Sequence, residues 1–312
     1  MQEGTVAMSG TAISRVGIVG AGTMGTRIAF RSALAGVETS LYDKYPEVLD
    51  HSVNTIEGWL SERVEAGVLG TDEARAALSR VHACETLAQC VADAPLVIEN
   101  VPEDLHLKRQ VFAEIDQLAP SEAFIATNSS SLPCSRIADA TRRPERVFNI
   151  NFNDPREDDL VEVMKGAQTS DETVAAGVSF VRSLGMVSIV TYKEIMGFSH
   201  NRVWRAVKRE TLHLVADGYS DHEDLDRAWM LEFGMSYGPF GLMDKIGLDV
   251  VRDIEMQYYL YSGDERDKPP PMLEDLVAHG HLGVKTGRGF YRYPNPAYEQ
   301  PGWLRKEPPW DM

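Results

Sequence analysis

A doubly wound α/β sheet followed by an all-α domain is the fold this sequence predicts. Three observations carry the prediction. Between residues 15 and 193, short β-branched runs alternate with helical stretches, the pattern of parallel strands joined by crossover helices. The first run, "VGIVGAGTMG", passes directly into a glycine-rich turn. After Lys193 helical periodicity takes over and no convincing strand follows. At 312 residues the chain can hold two domains with separate cores. The division expected is a disordered tail over 1–14, a Rossmann-type domain over 15–193 and a helical domain over 194–312.

Taken in order, residues 16–19 read as a strand, the glycine turn and a helical stretch follow, and the apolar run 38–42 ends on Asp43. That is a βαβ unit of about 30 residues, the size a parallel crossover needs. Residues 50–90 read as helical, interrupted by "GVLG" and the cap-like "TDEA". "APLVIENV" is a buried strand, "EDLHLKRQVFAEIDQLA" a helix, and "AFIATNSS" a strand running into a polar loop. "RVFNINF" and "LVEVMKG" are strands around a polar loop, and "MVSIVTY" is one more, so the late strands are the irregular ones. Helices are expected over 198–218, 221–235 and 243–261, with "GDERDKPPP" as a surface loop.

Bulk properties narrow the function. A formal charge of −16 repels nucleic acid and anionic membranes, and the basic cluster "NRVWRAVKRE" is too short to be a platform for either. No apolar run approaches the roughly 20 residues that span a bilayer. Cys84, Cys90 and Cys134 have neither disulfide-framework nor zinc spacing and read as thiols of a cytoplasmic protein. No metal site is expected. The natural partner is a small organic molecule.

"GAGTMG" places Gly20, Gly22 and Gly25 around Thr23 and Met24. Glycines at this spacing, between a strand and a helix, let a pyrophosphate approach the helix N-terminus. Asp43 closes the next strand, where a carboxylate accepts from the adenosine ribose 2′-hydroxyl and repels a 2′-phosphate. Lys44 and Tyr45 beside it are the features that suit NADP. The reading is NAD.

With this site, the segments "VIENVPEDLHLK", "TNSSSL", "LVEV", "GFSHNR", "YGPFGLMDKIGLD" and "KTGRGFY" follow one another in an order that resembles the 3-hydroxyacyl-CoA dehydrogenase family. The likeness runs from Arg15 to about Tyr293. It implies a homodimer built through the helical domain, an active site between the two domains, and hydride transfer from a secondary alcohol to NAD. It also implies roles: Glu103 and Lys108 near the nicotinamide-side ribose, Lys285 on the cofactor, and Ser130 on cofactor and substrate. Asn201 matches an active-site asparagine, and Glu162 the carboxylate that orients a catalytic histidine.

That histidine is missing. Relatives usually read His-Phe-Phe-Asn-Pro where this chain reads "NFNDP", which puts Asn151 at the histidine position and Asp154 at the asparagine position. An amide does not take a proton at neutral pH, and losing the base costs about 10²–10⁴ in rate. Asn151 can still donate to a carbonyl oxygen. Three side chains are candidates for the proton: Asp154 if desolvated, His200 as an imidazole at a helix start, and Glu162 through a water. The other reading is an NAD-binding protein with little or no turnover.

The substrate is expected to be an acyl-CoA or a smaller carboxylate. Where CoA-using relatives carry a serine and, seven residues on, a lysine, this chain has Trp59 and Ala66, with Arg63 as a compensating cation. Arg156 and Arg205 are the guanidinium groups that would suit a substrate carboxylate.

Overall fold

The computed structural model describes residues 13–305. The chain divides into two compact units, 1–200 and 201–312. The tail expected over 1–14 lies outside the described residues as far as residue 12. Ile13 and Ser14 belong to the fold instead: Ile13 is buried, and the Ser14 carbonyl accepts from the Glu38 amide at 2.9 Å.

The first unit is built on β1 (Arg15–Val19), α1 (Thr23–Leu34), β2 (Glu38–Tyr42), α2 (Pro46–Glu65), α3 (Thr71–Ser79), β3 (Val81–Ala83), α4 (Leu87–Val91) and β4 (Leu96–Glu99). It continues with α5 (Leu105–Leu118), β5 (Phe124–Thr127), α6 (Ser135–Ala138), β6 (Val147–Phe152), β7 (Leu160–Met164), α7 (Asp171–Ser183) and β8 (Val187–Thr191). One sheet runs β3-β2-β1-β4-β5-β6-β7-β8. All neighbours are parallel except β6 and β7, so the expected irregularity sits where the chain turns back through residues 153–159. β3 falls inside the stretch read as helical. It is three residues long and flanks the sheet, too short to leave a period in sequence.

Alternation along the strands sorts two cores. Val16 and Ile18 of β1 join Leu41, Ile98, Phe148, Ile150 and Val163 under α1, α2 and α7. Val19, Val97, Ile125 and Val147 face the other way, toward α4, α5 and α6. Side-chain caps start three of the helices: Thr86 accepts from Gln89 N, Asp104 from Leu107 N and Ser170 from Thr173 N. The strand order reverses between β1 and β4, the place where open α/β sheets bind ligands.

The second unit holds nearly all of α8 (Ser199–Ala216), then α9 (His222–Phe233), α10 (Pro239–Ile246), α11 (Leu248–Ser262) and α12 (Pro271–Ala278). The helix expected over 243–261 is two, because Gly247 sits at φ +102° and ends the first. α12 begins inside the proline run read as loop, with Pro271 at its first position, where a missing amide costs nothing. No helix among the described residues is long and apolar enough to cross a membrane.

The core of this unit, around Met230, Phe240, Met243, Leu273 and Tyr291, encloses two carboxylates. Asp226 accepts from the amides of Phe240 and Gly241 and from the Tyr291 hydroxyl, at 2.8–3.0 Å. Asp244 accepts from the amides of Phe290 and Tyr291 and from the Tyr293 hydroxyl, at 2.8–3.1 Å. Together they stitch the segment 290–293 to α9 and α10. Burial pushes the Asp226 carboxyl up to about 6, against the pull of its three donors. A group that binds its proton more tightly when folded contributes stability that is full below the ordinary carboxylate range and is lost as pH rises through about 6. In urea titrations, the stability advantage of the chain over an Asp226→Asn variant should therefore widen between roughly pH 7.5 and roughly pH 5. A gap that stays constant or narrows would refute this assignment.

Candidate active site

The glycine turn is fixed by close approaches. Gly20 lies at φ +98°, and a Cβ there would stand 2.8 Å from the Asn100 carbonyl. At Gly25 a Cβ would meet the Gly20 oxygen at 1.8 Å, whereas at Gly22 it would meet nothing within 4 Å. The first and third glycines thus let strand and helix pack, and the second leaves open space over the start of α1. The first α1 bond runs from Thr26 N to the Gly22 carbonyl, so the amides of Thr23, Met24 and Gly25 precede it. No side chain caps this end and no acidic residue stands in its first turn. The Asp43 carboxylate reaches back to the turn, accepting from Ala21 N at 2.8 Å and Tyr45 N at 3.0 Å. Lys44 lies over the Tyr45 ring. Uncapped amides, open space at Gly22 and a carboxylate at the end of β2 fit a dinucleotide.

At the ends of β4 and β5, the ammonium of Lys108 is only 1% exposed. It meets Glu99 Oε1 at 2.8 Å, the Val101 carbonyl at 3.2 Å and Glu103 Oε2 at 3.3 Å. With three acceptors for three N–H bonds, the Lys108 ammonium is fully engaged within the protein. Glu99, fully buried, also accepts from the Thr127 hydroxyl at 2.7 Å. Burial raises its carboxyl, and Lys108, Thr127 and the Val101 amide offset only part of that. For Glu103 the balance reverses. Burial raises it, but the Ser129 and Ser131 hydroxyls and Lys108 together hold it below the ordinary range. Glu103 Oε1 gathers both of those hydroxyls and the amides of Ser131 and Leu132. Ser130, between the two serines, is exposed.

Asn149 ties this loop to the sheet. Its side chain accepts from Cys134 N at 2.7 Å and donates to the carbonyls of Leu132 at 3.0 Å and Ser129 at 3.3 Å. Two residues on, and so on the same face, is Asn151, 4% exposed. The antiparallel register sets Asn151 directly opposite Glu162, an arrangement that brings the two side chains together. Glu162 is 1% exposed. Its Oε2 accepts from Ser199 N at 2.9 Å and His200 N at 3.0 Å, the first two amides of α8. Its Oε1 is buried and has no hydrogen-bond partner among the described residues. Phe198, just before that helix, is buried at φ +53°, a strained conformation for a bulky residue and one that clusters at functional sites.

The other proposed groups are placed differently. Asp154 pairs with Arg27 at 3.0 Å and accepts from Arg156 N at 3.2 Å. It is a turn residue held by α1, not a desolvated base. The His200 side chain is exposed. Only its backbone engages Glu162. Asn201 follows in α8. Lys285 meets both oxygens of Asp249 at 2.6 Å. Arg156 lies over Trp59 at 4.8 Å and pairs with Glu62 at 2.9 Å and Glu157 at 3.3 Å, and Arg63 donates to its carbonyl. Arg205, expected to meet a substrate carboxylate, is committed elsewhere. It is paired with Glu255 at 3.0 Å and Asp267 at 2.8 Å and stacked 3.8 Å from the Tyr258 ring. Sequence alone gives no role to Glu99, Ser129, Ser131 or Asn149. The polar alternation of "NINFN" was the available signal for Asn149.

The profile of the 3-hydroxyacyl-CoA dehydrogenase NAD binding domain matches residues 15–195, and that of the family's C-terminal domain matches 197–293. The chain belongs to the 3-hydroxyacyl-CoA dehydrogenase family. A 3-hydroxybutyryl-CoA dehydrogenase of Bradyrhizobium diazoefficiens is 36% identical over 90% of this chain and 96% of its own length. A 5-formyl-3-hydroxy-2-methylpyridine 4-carboxylate 5-dehydrogenase of Mesorhizobium japonicum is 31% identical over 90% and 91%. The crystal structure of (S)-3-hydroxybutyryl-CoA dehydrogenase from Ralstonia eutropha superposes with a TM-score of 0.82 at 32% identity, covering 91% of this chain and all of that one. As a member, the chain is an NAD-dependent dehydrogenase acting on a CH–OH group.

Lys108→Met would leave Glu99 buried beside no cation. The expected cost is about 3–5 kcal/mol of stability, read by denaturant unfolding. A loss below about 1 kcal/mol would show that the pair is not the strut of this site.

Proposed function

We propose that this dehydrogenase interconverts a secondary alcohol and a ketone on a short 3-hydroxyacyl thioester, with Glu162 in place of the usual imidazole. The observation that carries the reading is the orphaned Oε1 of Glu162, buried opposite the Asn151 amide. A buried carboxylate oxygen with no donor is costly, and a substrate hydroxyl, directly or through one water, supplies the missing donor. NAD, when bound, accepts the hydride. Glu162 Oε1 takes the hydroxyl proton while Oε2 stays fixed by the α8 amides. The Asn151 amide donates to the oxygen as it becomes a carbonyl, and in the reverse direction steadies the developing alkoxide.

The thioester reading is supported by the relatives' names and by what the arginines do. Arg205 is consumed by Glu255 and Asp267, and Arg156 by Glu62 and Glu157, which leaves a free hydroxy acid without its bidentate clamp. A homodimer is part of the proposal. Val203, Leu231, Phe233, Leu260 and Tyr261 of the helical unit are 49–76% exposed, an apolar display of the kind that marks association.

NADH consumption with acetoacetyl-CoA tests the relay. The unmodified chain should turn over, and Glu162→Gln should lose about 10²–10⁴ in kcat with KM little changed. Asn151→Ala should lose about 10²–10³, and His200→Ala should stay near the parent rate. Full activity in Glu162→Gln would sink the proposal. NADH binding without turnover by the unmodified chain would favour a binding protein instead.

A further inference from the structure

The end of β4 carries an acceptor that the protein leaves without a donor. Asn100 follows Glu99, and its backbone amide donates to the Val19 carbonyl at 2.7 Å, so the ladder with β1 runs one residue past the strand. Its backbone also packs on the first glycine of the dinucleotide turn. A Cβ on Gly20 would stand 2.8 Å from both the carbon and the oxygen of the Asn100 carbonyl. Asn100 therefore lies where the strand order reverses between β1 and β4, the place where open α/β sheets receive a nucleotide.

One bond fixes the orientation of its side chain. Nδ2 donates to the Ile98 carbonyl at 3.2 Å. A carbonyl only accepts, so the amide nitrogen belongs on that side and the oxygen on the other. Oδ1 is buried and has no hydrogen-bond partner among the described residues, a costly state for an amide oxygen. A pyrophosphate brings only acceptors and does not relieve it. A hydroxyl does.

The nearby carboxylate does not offer the same capacity. Glu103, which the family resemblance puts beside the nicotinamide-side ribose, has Oε1 already accepting from the Ser129 and Ser131 hydroxyls and from the amides of Ser131 and Leu132. Four donors on one oxygen exceed its lone pairs. Its Oε2 faces the Lys108 ammonium at 3.3 Å. Asn100 Oδ1, by contrast, has its whole accepting capacity open.

We propose that Asn100 is a positioning residue for the cofactor, its Oδ1 accepting from a hydroxyl of the nicotinamide-side ribose. Three neighbouring strands, β2, β1 and β4, then each end in one anchor. Asp43 after β2 takes the adenosine ribose, the amides at the start of α1 after β1 take the pyrophosphate, and Asn100 after β4 takes the second ribose. The last anchor is the one nearest the reacting ring along the cofactor, so it sets where the ring lies rather than how the hydride moves. The assignment concerns the cofactor alone and stands whether or not the substrate is a thioester.

Calorimetric titration with three ligands tests it: ADP, which lacks the second ribose; ADP-ribose, which has that ribose without the ring; and NADH. The readout is the ratio of ADP-ribose affinity to ADP affinity, which a general loosening of the glycine turn would not move. In Asn100→Ala the ratio should fall about three- to tenfold, the worth of one neutral hydrogen bond. NADH should weaken by the same factor, and ADP should bind as it does to the parent. Asn100→Asp has the same shape and still accepts, so its charge should weaken all three ligands together and leave the ratio within about twofold of the parent value. An unchanged ratio in Asn100→Ala, an equal loss for ADP, or a loss with NADH but not with ADP-ribose would each overturn the assignment, the last because the donor would then be the nicotinamide carboxamide. Should the alanine variant fail to fold, a ratio that collapses in Asn100→Asp overturns it equally, and a ratio that holds supports it.

Discussion

A carboxylate that is nearly inaccessible to water, with only one oxygen engaged, constrains everything built around it. Glu162 gives Oε2 to the first two amides of α8, a favourable partnership of anion and helix N-terminus. That contact explains why residues 194–200 belong with the first unit rather than starting the second. Glu194 reinforces it by accepting from Ser135 N at 2.7 Å. The other oxygen has no such outlet. Glu162 lies in the one antiparallel pairing of the sheet, whose register sets Asn151 of β6 opposite it.

The same sheet face joins two chemistries that the sequence lists far apart. Asn149 grips the Ser129–Cys134 loop, the loop serines hold Glu103, and Glu103 meets Lys108. Each member is fixed by the next. Such networks are valuable only when complete, and the Lys108–Glu99–Thr127 cluster is complete within the protein. Glu162 Oε1, by contrast, has no hydrogen-bond partner among the described residues, as is also true of Asn100 Oδ1 just after β4.

How much of this was legible in sequence followed the range of each interaction. The glycine turn was, because its causes are local: a tight turn, a close approach and a helix start within six residues. The strands of the inner sheet were, through their β-branched runs. β3 was not, since three edge residues carry no period, and Gly247 hid a helix break inside an otherwise continuous amphipathic pattern. Arg205 misled because helical spacing shows which face a residue shares but not what packs there. Glu255 and Asp267, 50 residues or more away, claimed it first. Lys108 shows the same limit of local sequence. Its motif spacing placed it near the cofactor, and only burial shows that its charge is spent on Glu99.

The net charge of −16 would seem to disfavour a dianionic cofactor, yet the site does not oppose it. Exposed charges more than about 8–10 Å away are largely screened at physiological salt, so the local complement decides. At the start of α1 there is no acidic residue in the first turn. The nearest carboxylate, Asp43, is held by the Ala21 and Tyr45 amides, at the ribose end rather than over the helix. The donors on offer to the pyrophosphate are neutral amides aligned by the helix. They attract one anion at one place and add nothing to a general affinity for polyanions. An acidic chain with a neutral anion cradle can thus bind a dinucleotide, which the sign of the total charge alone would not reveal.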